Sequence, residues 1–188
     1  MQTKEADPRF QRTRAAIIAA LGDLLSVKSL RDISITSLVA EAGVTRPTFY
    51  QHFPDIPAAA RHAALERLAE AFPFPEPLPD DDAPAPEALR ARIAAEATPV
   101  LEHLRDHRTF YLHVLEGTGS FEFYDDLVAF IAARMLRGPL PAAEGVGRED
   151  VATLRAGGVM WLVLRWLRSD PLLAPDRMAN RIAATAVA

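Results

Sequence analysis

The chain has 188 residues, of which 49% are hydrophobic, and its formal net charge at pH 7 is −4. It contains no cysteine, which excludes disulfides, thiolate metal sites and cysteine nucleophiles. Its apolar runs are short and interrupted by Arg or Glu, and its first residues lack the apolar segment of a secretory signal. We therefore expect a cytoplasmic protein with no membrane partner.

Helical periodicity dominates the sequence, and no long stretch alternates as a β-strand does. The first helix is predicted from Pro8 to about Val27, since its apolar residues recur on one face. A second, shorter helix can be capped by Ser34 or Thr36. Gly43 then supplies the left-handed residue with which helices commonly end.

A third helix is predicted at about residues 46–52. Thr45 is expected to cap it, and Pro47 falls in its first turn, where the missing N–H of proline costs nothing. Asp55 is expected to cap a fourth helix that continues to about Phe72. The sequence thus predicts two short helices, joined by a tight glycine turn, between two longer ones.

A proline-rich stretch separates these helices from the rest of the chain. Residues 73–86 hold six prolines and the acidic run Asp80–Asp82, a composition that cannot maintain a helix and is typical of a connector. The acidic run is interpreted as solvated, with a cation site as the less favoured alternative. Beyond the connector, helical periodicity predicts five further helices, at about residues 87–106, 108–117, 120–137, 148–169 and 175–186.

The predicted fold class is all-α, with about nine helices in total. A three-helix unit over residues 1–54 precedes a larger helical body over residues 55–188. Charge alone does not identify a partner for either part. Residues 1–55 hold seven Lys or Arg against six Asp or Glu, a balance of +1, and residues 56–188 hold fourteen against nineteen, a balance of −5.

Two short helices with a glycine turn between them form a helix-turn-helix, which places its second helix in the major groove of DNA. The side chains of the predicted third helix suit that task. Arg46 can donate two hydrogen bonds to guanine, and Pro47 and Thr48 can meet a thymine methyl or a phosphate. Tyr50 and His52 can donate to phosphates, which position a protein without reading sequence. Ordinary core packing of a helix pair is the alternative interpretation.

Two aromatic residues of the same stretch are predicted to face the protein interior. Phe49 and Phe53 are four residues apart and so share one face of a helix, which would anchor it to the first helix. Thr36, at the start of the second helix, is placed instead for a phosphate contact.

The stretch SITSLVAEAGVTRPTFYQHF closely resembles the N-terminal domain of the TetR/AcrR family of transcriptional regulators. The resemblance extends over roughly residues 10–72, and its most specific part is the pattern AGV-T-x-x-T-F-Y-x-H-F. It implies a DNA-binding domain over residues 1–54, in which the third helix faces DNA and the start of the second contacts phosphate. The residues expected to bind DNA are Thr36, Thr45, Arg46, Pro47, Thr48, Tyr50 and His52.

Two residues depart from the family pattern. Val39 stands where the family usually has Ala, which alters the packing between the two short helices. Ile56 stands where many members have a Lys that contacts phosphate, so binding would rely more on Arg9, Arg12 and Arg14. A TetR-like protein that acts through protein partners, with weak or lost DNA binding, is therefore the alternative.

The family resemblance also implies that residues 55–188 bind an effector and dimerise through the last two helices. Apolar positions run almost all round the helix predicted at 148–169, as expected for a helix buried on more than one side. The residues predicted at the dimer interface, with core packing as the alternative, are Val151, Leu154, Gly157, Gly158, Leu162, Trp166, Met178 and Ile182. Those predicted to line an effector pocket are His103, His107, Phe110, Tyr111, Phe121, Tyr124, Trp161 and Arg165, and for each aromatic residue among them a place in the core is the favoured alternative.

Other chemistries find little support in the sequence. His103 and His107 have the spacing at which two imidazoles can share a metal, but a third ligand is not evident, and a solvated polar face is favoured. Catalytic motifs such as G-x-S-x-G and H-E-x-x-H are missing, so we expect neither an enzyme nor a cofactor. The sequence predicts a homodimeric regulator, most simply a repressor released from a palindromic DNA operator by a small, mainly hydrophobic or aromatic effector.

Overall fold

The computed structural model describes residues 7–75, 85–118, 121–137 and 145–186. Over these ranges the chain forms nine α-helices and one short 3₁₀ helix, without a β-strand, which confirms the all-α prediction. The α-helices are α1 (Pro8–Val27), α2 (Ile35–Glu41), α3 (Arg46–Tyr50), α4 (Ile56–Ala71), α5 (Pro86–Asp106), α6 (Arg108–Thr118), α7 (Phe121–Met135), α8 (Arg148–Leu167) and α9 (Pro175–Ala186). The 3₁₀ helix, Leu30–Asp32, lies between α1 and α2.

The structure shortens the predicted third helix. Helix α3 ends at Tyr50 rather than near His52, because residues 51 and 52 form a turn. Most of the predicted connector, residues 76–84 with Asp80–Asp82, lies outside the described residues. None of the helices in the described ranges is long and apolar enough to cross a membrane.

The described helices group into two compact units. The first unit contains α1, α2, α3, the part of α4 up to Arg67, and α6. Its helices share a core of fully buried side chains, which includes Ile17, Leu21, Leu25, Leu38 and Phe49. Burial of these apolar groups stabilises the 3₁₀ helix, α2 and α3, which are too short to have much stability of their own.

Helix α6 joins the first unit through two close contacts. The Nδ1 of His113 donates to the carbonyl oxygen of Leu25 at 2.8 Å, which satisfies one of the carbonyls that the last turn of α1 leaves open. A Cβ atom added to Gly117 would lie 2.2 Å from the Cβ of Leu30, so the two backbones approach too closely for any side chain. The packed unit is therefore larger than residues 1–54, and a functional boundary at residue 54 stays a prediction.

The second unit contains the end of α4 together with α5, α7, α8 and α9. Helix α9 packs along α5, and α7 packs against α8. On α9, Met178 and Ile182 are buried one turn apart, whereas Arg177 and Arg181 are exposed on the other side. The helix is thus amphipathic, with its apolar face used inside the chain.

We expect Gly117→Ala to lower the free energy of unfolding by about 1–3 kcal/mol, because the added methyl group overlaps Leu30 and forces α6 away from the 3₁₀ helix. Urea denaturation followed by circular dichroism measures the change.

Gly22→Ala is the matched control within the same unit. The nearest atom to its added Cβ is the mobile guanidinium end of Arg67, at 3.3 Å, and alanine favours a helix over glycine. We expect equal or higher stability for this variant. A Gly117→Ala protein as stable as the unsubstituted chain would contradict the close packing of α6.

Candidate nucleic-acid interface

Helix α2 begins with a reciprocal cap. The Oγ of Ser34 accepts from the backbone N–H of Ser37 at 3.1 Å, and the N–H of Ser34 donates to the Oγ of Ser37 at 3.2 Å. Both bonds satisfy N–H groups that a helix start leaves open. Ser34 rather than Thr36 is therefore the cap, and the Thr36 side chain remains exposed at the second position of α2.

The turn after α2 depends on Gly43, as predicted. Its φ of +64° lies in the left-handed region, which glycine adopts without a steric penalty. The N–H of Val44 reaches back to the carbonyl of Val39 at 3.0 Å. This bond closes the end of α2 and directs the chain into α3.

Helix α3 has only five residues and depends on the cap at its start. The Oγ1 of Thr45 accepts from the N–H of Thr48 at 3.3 Å, and the two threonine hydroxyl oxygens are 2.8 Å apart. Thr45 is thus confirmed as the cap, and Pro47 lies in the first turn. Because both threonine hydroxyls already bond within the helix start, their contacts with DNA stay predictions.

Two phenylalanines anchor α3. Phe49 is fully buried and Phe53 is only 5% exposed, which confirms that both face inward. Tyr50, in contrast, is 56% exposed. His52 is half-buried, with its ring centroid 3.9 Å from that of Phe10. It therefore helps to attach this segment to α1, and its contact with DNA stays a prediction.

Arg46 connects the starts of the two short helices. It is exposed at the first position of α3, and its Nη2 donates to the Oγ1 of Thr36 at 2.5 Å. Neither α2 nor α3 has an acidic residue in its first turn. A guanidinium group and the positive ends of two helices therefore lie together, an electrostatic environment that favours an anion such as phosphate.

The arginines at the start of α1 differ in what they contact. Arg9 and Arg12 are exposed. Arg14 instead hydrogen-bonds to the ring of His62, and its guanidinium carbon lies 5.4 Å from the centroid of the Phe53 ring. Arg14 thus serves packing within the unit, and Arg9 and Arg12 are the better placed of the three to meet a phosphate.

No family model matches the chain. Over 51 residues, it is 41% identical to the HTH-type transcriptional regulators EthR of Mycolicibacterium smegmatis and Mycobacterium tuberculosis. This match covers 27% of the chain and 24% of each relative. The chain thus spans about a quarter of the length of the curated relatives it matches.

Structural likeness extends over nearly the whole chain. A TetR transcriptional regulator from Streptococcus agalactiae superposes with a TM-score of 0.60 over 96% of both chains, at 13% identity. The TetR family repressor AlkX from a Dietzia species gives a TM-score of 0.56 over 97% of this chain and 94% of its own, at 15% identity. NalD from Pseudomonas aeruginosa gives 0.54 over 96% of both chains, at 18% identity.

Over most of its length the chain has the fold of TetR-family regulators. At the identities of the solved structures, the likeness establishes the fold alone.

The predicted effector residues lie in different environments. Phe110 and Tyr111 are buried in the first unit, where the guanidinium carbon of Arg67 lies 4.5 Å from the centroid of the Phe110 ring. In the second unit, the hydroxyl of Tyr124 donates to the carbonyl of Gly157 at 3.2 Å. The other predicted effector residues are half-buried or exposed: His103, His107, Phe121, Trp161 and Arg165. Effector contacts of all eight stay predictions.

The second unit of this TetR fold contains an apolar cleft of about 190 Å³ that the sequence interpretation missed. Its lining consists of Ala71, Phe72, Pro73, Phe74, Pro75, Glu96 and Pro99. The first five of these residues are consecutive, and most of them fall in the stretch interpreted as a connector. Phe72 and Phe74, on either side of Pro73, are the signal that could have identified an apolar wall here.

Arg134 is buried beside this cleft, among three aromatic rings. Its guanidinium carbon lies 5.2, 4.5 and 3.4 Å from the ring centroids of Phe72, Phe74 and Phe130. Its Nε donates to the carbonyl of Phe72 at 2.6 Å, and its Nη1 donates to that of Phe130 at 3.1 Å. Burial lowers the pKa of Arg134 because water no longer solvates the cation. Arg134 therefore links the end of α4 to α7 and supports two rings of the cleft.

An apolar stripe is exposed on α8. Leu154 is 79% exposed and Trp161 is 56% exposed. Gly158 lies between them, and apart from its own stretch of helix no described atom comes within 4 Å of the position its Cβ would take. Residues four and seven positions apart share one helix face. Leu154, Gly158 and Trp161 therefore form one continuous stripe with a shallow notch at the glycine.

Three other residues predicted at the dimer interface are buried within the chain: Trp166, Met178 and Ile182. The Nε1 of Trp166 donates to the carbonyl of Leu173 at 2.8 Å, which ties α8 to the segment before α9. The remaining predicted interface residues, Val151, Gly157 and Leu162, are half-buried. Of the predicted interface residues, Leu154 and Gly158 are therefore the exposed ones that a partner could reach, beside Trp161, a residue predicted to line the effector pocket.

We expect Arg134→Met to lower the free energy of unfolding by about 2–3 kcal/mol, because the change removes two charge-assisted hydrogen bonds to backbone carbonyls. Methionine is flexible enough to fill the apolar space, so the loss reports mainly on the polar contacts. Urea denaturation measures the difference.

Arg137→Met is the control for this substitution, since Arg137 is exposed and contacts the Phe74 ring from a distance of 4.7 Å. Its stability should change little. Equal or higher stability of Arg134→Met would instead show that burying the cation costs more than its contacts contribute.

Proposed function

We propose that this TetR-family protein is a ligand-responsive transcriptional regulator, most simply a repressor, that binds a palindromic operator as a homodimer. The observation that carries the proposal is the geometry of α3. This helix is capped by Thr45 and anchored by the buried Phe49, and Arg46 and Tyr50 remain exposed on it. NalD is described as the secondary repressor of a multidrug efflux pump, and AlkX as a TetR family repressor, which supports the repressor role.

In this proposal, α3 lies in the major groove of DNA. The guanidinium of Arg46 reads a base edge, most simply the O6 and N7 of guanine. Thr36 and Tyr50 contact phosphates, which fix the register of the protein on the duplex. The other proposed DNA contacts are Thr45, Pro47, Thr48 and His52.

The proposed homodimer forms through the exposed stripe on α8. A twofold axis brings the same face of both copies together, so the stripe of one copy must fit the identical stripe of the other. Leu154 and Trp161 provide apolar bulk, and Gly158 provides space into which a side chain of the second copy fits. A palindromic operator would require the two α3 helices of this dimer to lie about 34 Å apart, one turn of DNA.

The apolar cleft of the second unit supports a small, mainly hydrophobic effector. Six of its seven lining residues are apolar, among them Phe72 and Phe74. AlkX is implicated in the biodegradation of n-alkanes, a process that involves apolar compounds. An effector that binds one arrangement of the helices better than another shifts the population toward it, and release of DNA follows when that arrangement binds the operator less well.

A second candidate function is that of a TetR-like protein that acts through protein partners, with weak or lost DNA binding. Ile56, half-buried at the start of α4, favours it because an expected cationic phosphate contact is replaced by an apolar side chain. The net charge of −4 points the same way. The exposure of Arg46 and Tyr50 argues against this second candidate, because a recognition helix that no longer binds DNA would not require it.

We expect Arg46→Ala and Tyr50→Phe to affect DNA binding differently. Arg46→Ala should reduce discrimination at one base pair by about 1–3 kcal/mol, because a base contact is lost. Tyr50→Phe should weaken binding to every duplex alike, because a phosphate contact carries no sequence information. Fluorescence anisotropy on an operator selected from random duplexes, and on its single-base-pair variants, separates the two effects. Equal losses on all variants for Arg46→Ala would contradict the base-reading role.

We expect Trp161→Glu to convert the dimer to monomers, because two carboxylates would be buried against each other across the twofold axis. Sedimentation equilibrium measures the change in mass. Ala133→Glu, on the exposed side of α7, adds the same charge elsewhere and should leave the dimer intact. A Trp161→Glu protein that remains dimeric would place the interface on another surface.

A further inference from the structure

We propose that Thr36 is a positioning residue for Arg46, and that it thereby determines how strictly the protein discriminates at one base pair. The inference rests on the proposed DNA-binding function and deepens it. Thr36 would be more than a phosphate contact, since it would hold the side chain that reads the base.

The geometry of the two side chains carries the inference. The Nη2 of Arg46 donates to the Oγ1 of Thr36 at 2.5 Å, although ten residues separate them in the chain and both are exposed. A long arginine side chain on a surface otherwise samples many rotamers. The hydrogen bond restricts Arg46 to conformations in which its guanidinium lies beside the start of α2.

Thr36 is itself a rigid support. It is the second residue of α2, directly after the reciprocal Ser34–Ser37 cap that fixes the helix start. A β-branched side chain in a helix has few χ1 rotamers. The hydroxyl oxygen of Thr36 is therefore limited to few positions relative to the first turn of α2.

Arg46 is attached to an equally defined backbone. Thr45 caps α3 immediately before it, and the left-handed Gly43 fixes the turn that joins α3 to α2. The Thr36–Arg46 bond thus joins two helix starts whose backbones are already fixed. It orients the one long cationic side chain between them before DNA arrives, which reduces the ordering that binding requires.

The chemistry of the hydroxyl allows both contacts at once. A threonine oxygen accepts through its lone pairs and also donates its own hydrogen. While it accepts from Arg46, Thr36 can therefore donate to a DNA phosphate. Arg46 retains further N–H groups for the two acceptors of guanine. The phosphate contact and the base contact are then coupled through one oxygen atom.

The test compares Thr36→Val with Thr36→Ser in the full chain. Valine keeps the shape and the β-branch of threonine but has no hydroxyl, whereas serine keeps the hydroxyl. Each variant is titrated with the selected operator and with its variants at the base pair that Arg46→Ala identifies. We expect Thr36→Val to reduce discrimination at that base pair about threefold or more. Thr36→Ser should discriminate at that base pair as well as the unsubstituted chain does. In a protein that already carries Arg46→Ala, Thr36→Val should cause no further loss of this discrimination.

Two results would overturn the inference. In the first, Thr36→Val weakens binding to all duplexes equally and leaves discrimination unchanged, so that Thr36 is a phosphate contact alone. In the second, Thr36→Val and Arg46→Ala reduce discrimination additively, so that the two side chains act independently. A wild-type chain that enriches no sequence from random duplexes would instead overturn the proposed function itself, and the inference with it.

A measurement on the chain without DNA tests directly whether Thr36 restricts the Arg46 side chain. Nitrogen-15 relaxation at the Nε of Arg46 reports the mobility of its side chain. We expect lower mobility in the wild-type and Thr36→Ser proteins than in Thr36→Val. Equal mobility in all three would overturn the positioning role, whatever the outcome of the DNA titrations.

Discussion

A helix of five residues has almost no stability of its own in water, because nucleation is unfavourable and few backbone hydrogen bonds follow it. Helix α3 therefore depends on its attachments. The Thr45 cap defines its start, the left-handed Gly43 sets its direction, and the burial of Phe49 and Phe53 holds it against the rest of the unit. Specific DNA recognition depends on the same anchorage, because an exposed side chain has a fixed position only where its backbone has one.

The acidic net charge of the chain is compatible with DNA binding because the local distribution decides the field at a surface. The starts of α2 and α3 have no acidic residue in their first turns, and Arg46 lies between them. Arg9 and Arg12 add exposed cations at the start of α1. With Ile56 in place of a phosphate-contacting Lys, we expect a weaker electrostatic attraction to DNA and a larger share of the affinity from base contacts and shape.

The sequence predicted those features that depend on local chemistry. The Thr45 cap, the left-handed Gly43 and the inward faces of Phe49 and Phe53 follow from preferences that act within a few residues. The insertion of Arg134 among aromatic rings and the cleft beside it depend on segments distant in the chain, which periodicity does not report. In α8, apolar residues lie on all sides, so only the packed structure separates the exposed Trp161 from the buried Trp166.

The proposed function requires that α3 binds specific DNA as part of a twofold dimer. Selection of the purified chain against a pool of random DNA duplexes at moderate salt measures this binding. We expect enrichment of a palindrome whose half-sites are separated by about one helical turn of DNA or a multiple of it. An unenriched pool, at low salt as well as at moderate salt, would contradict it and leave the TetR fold with another use.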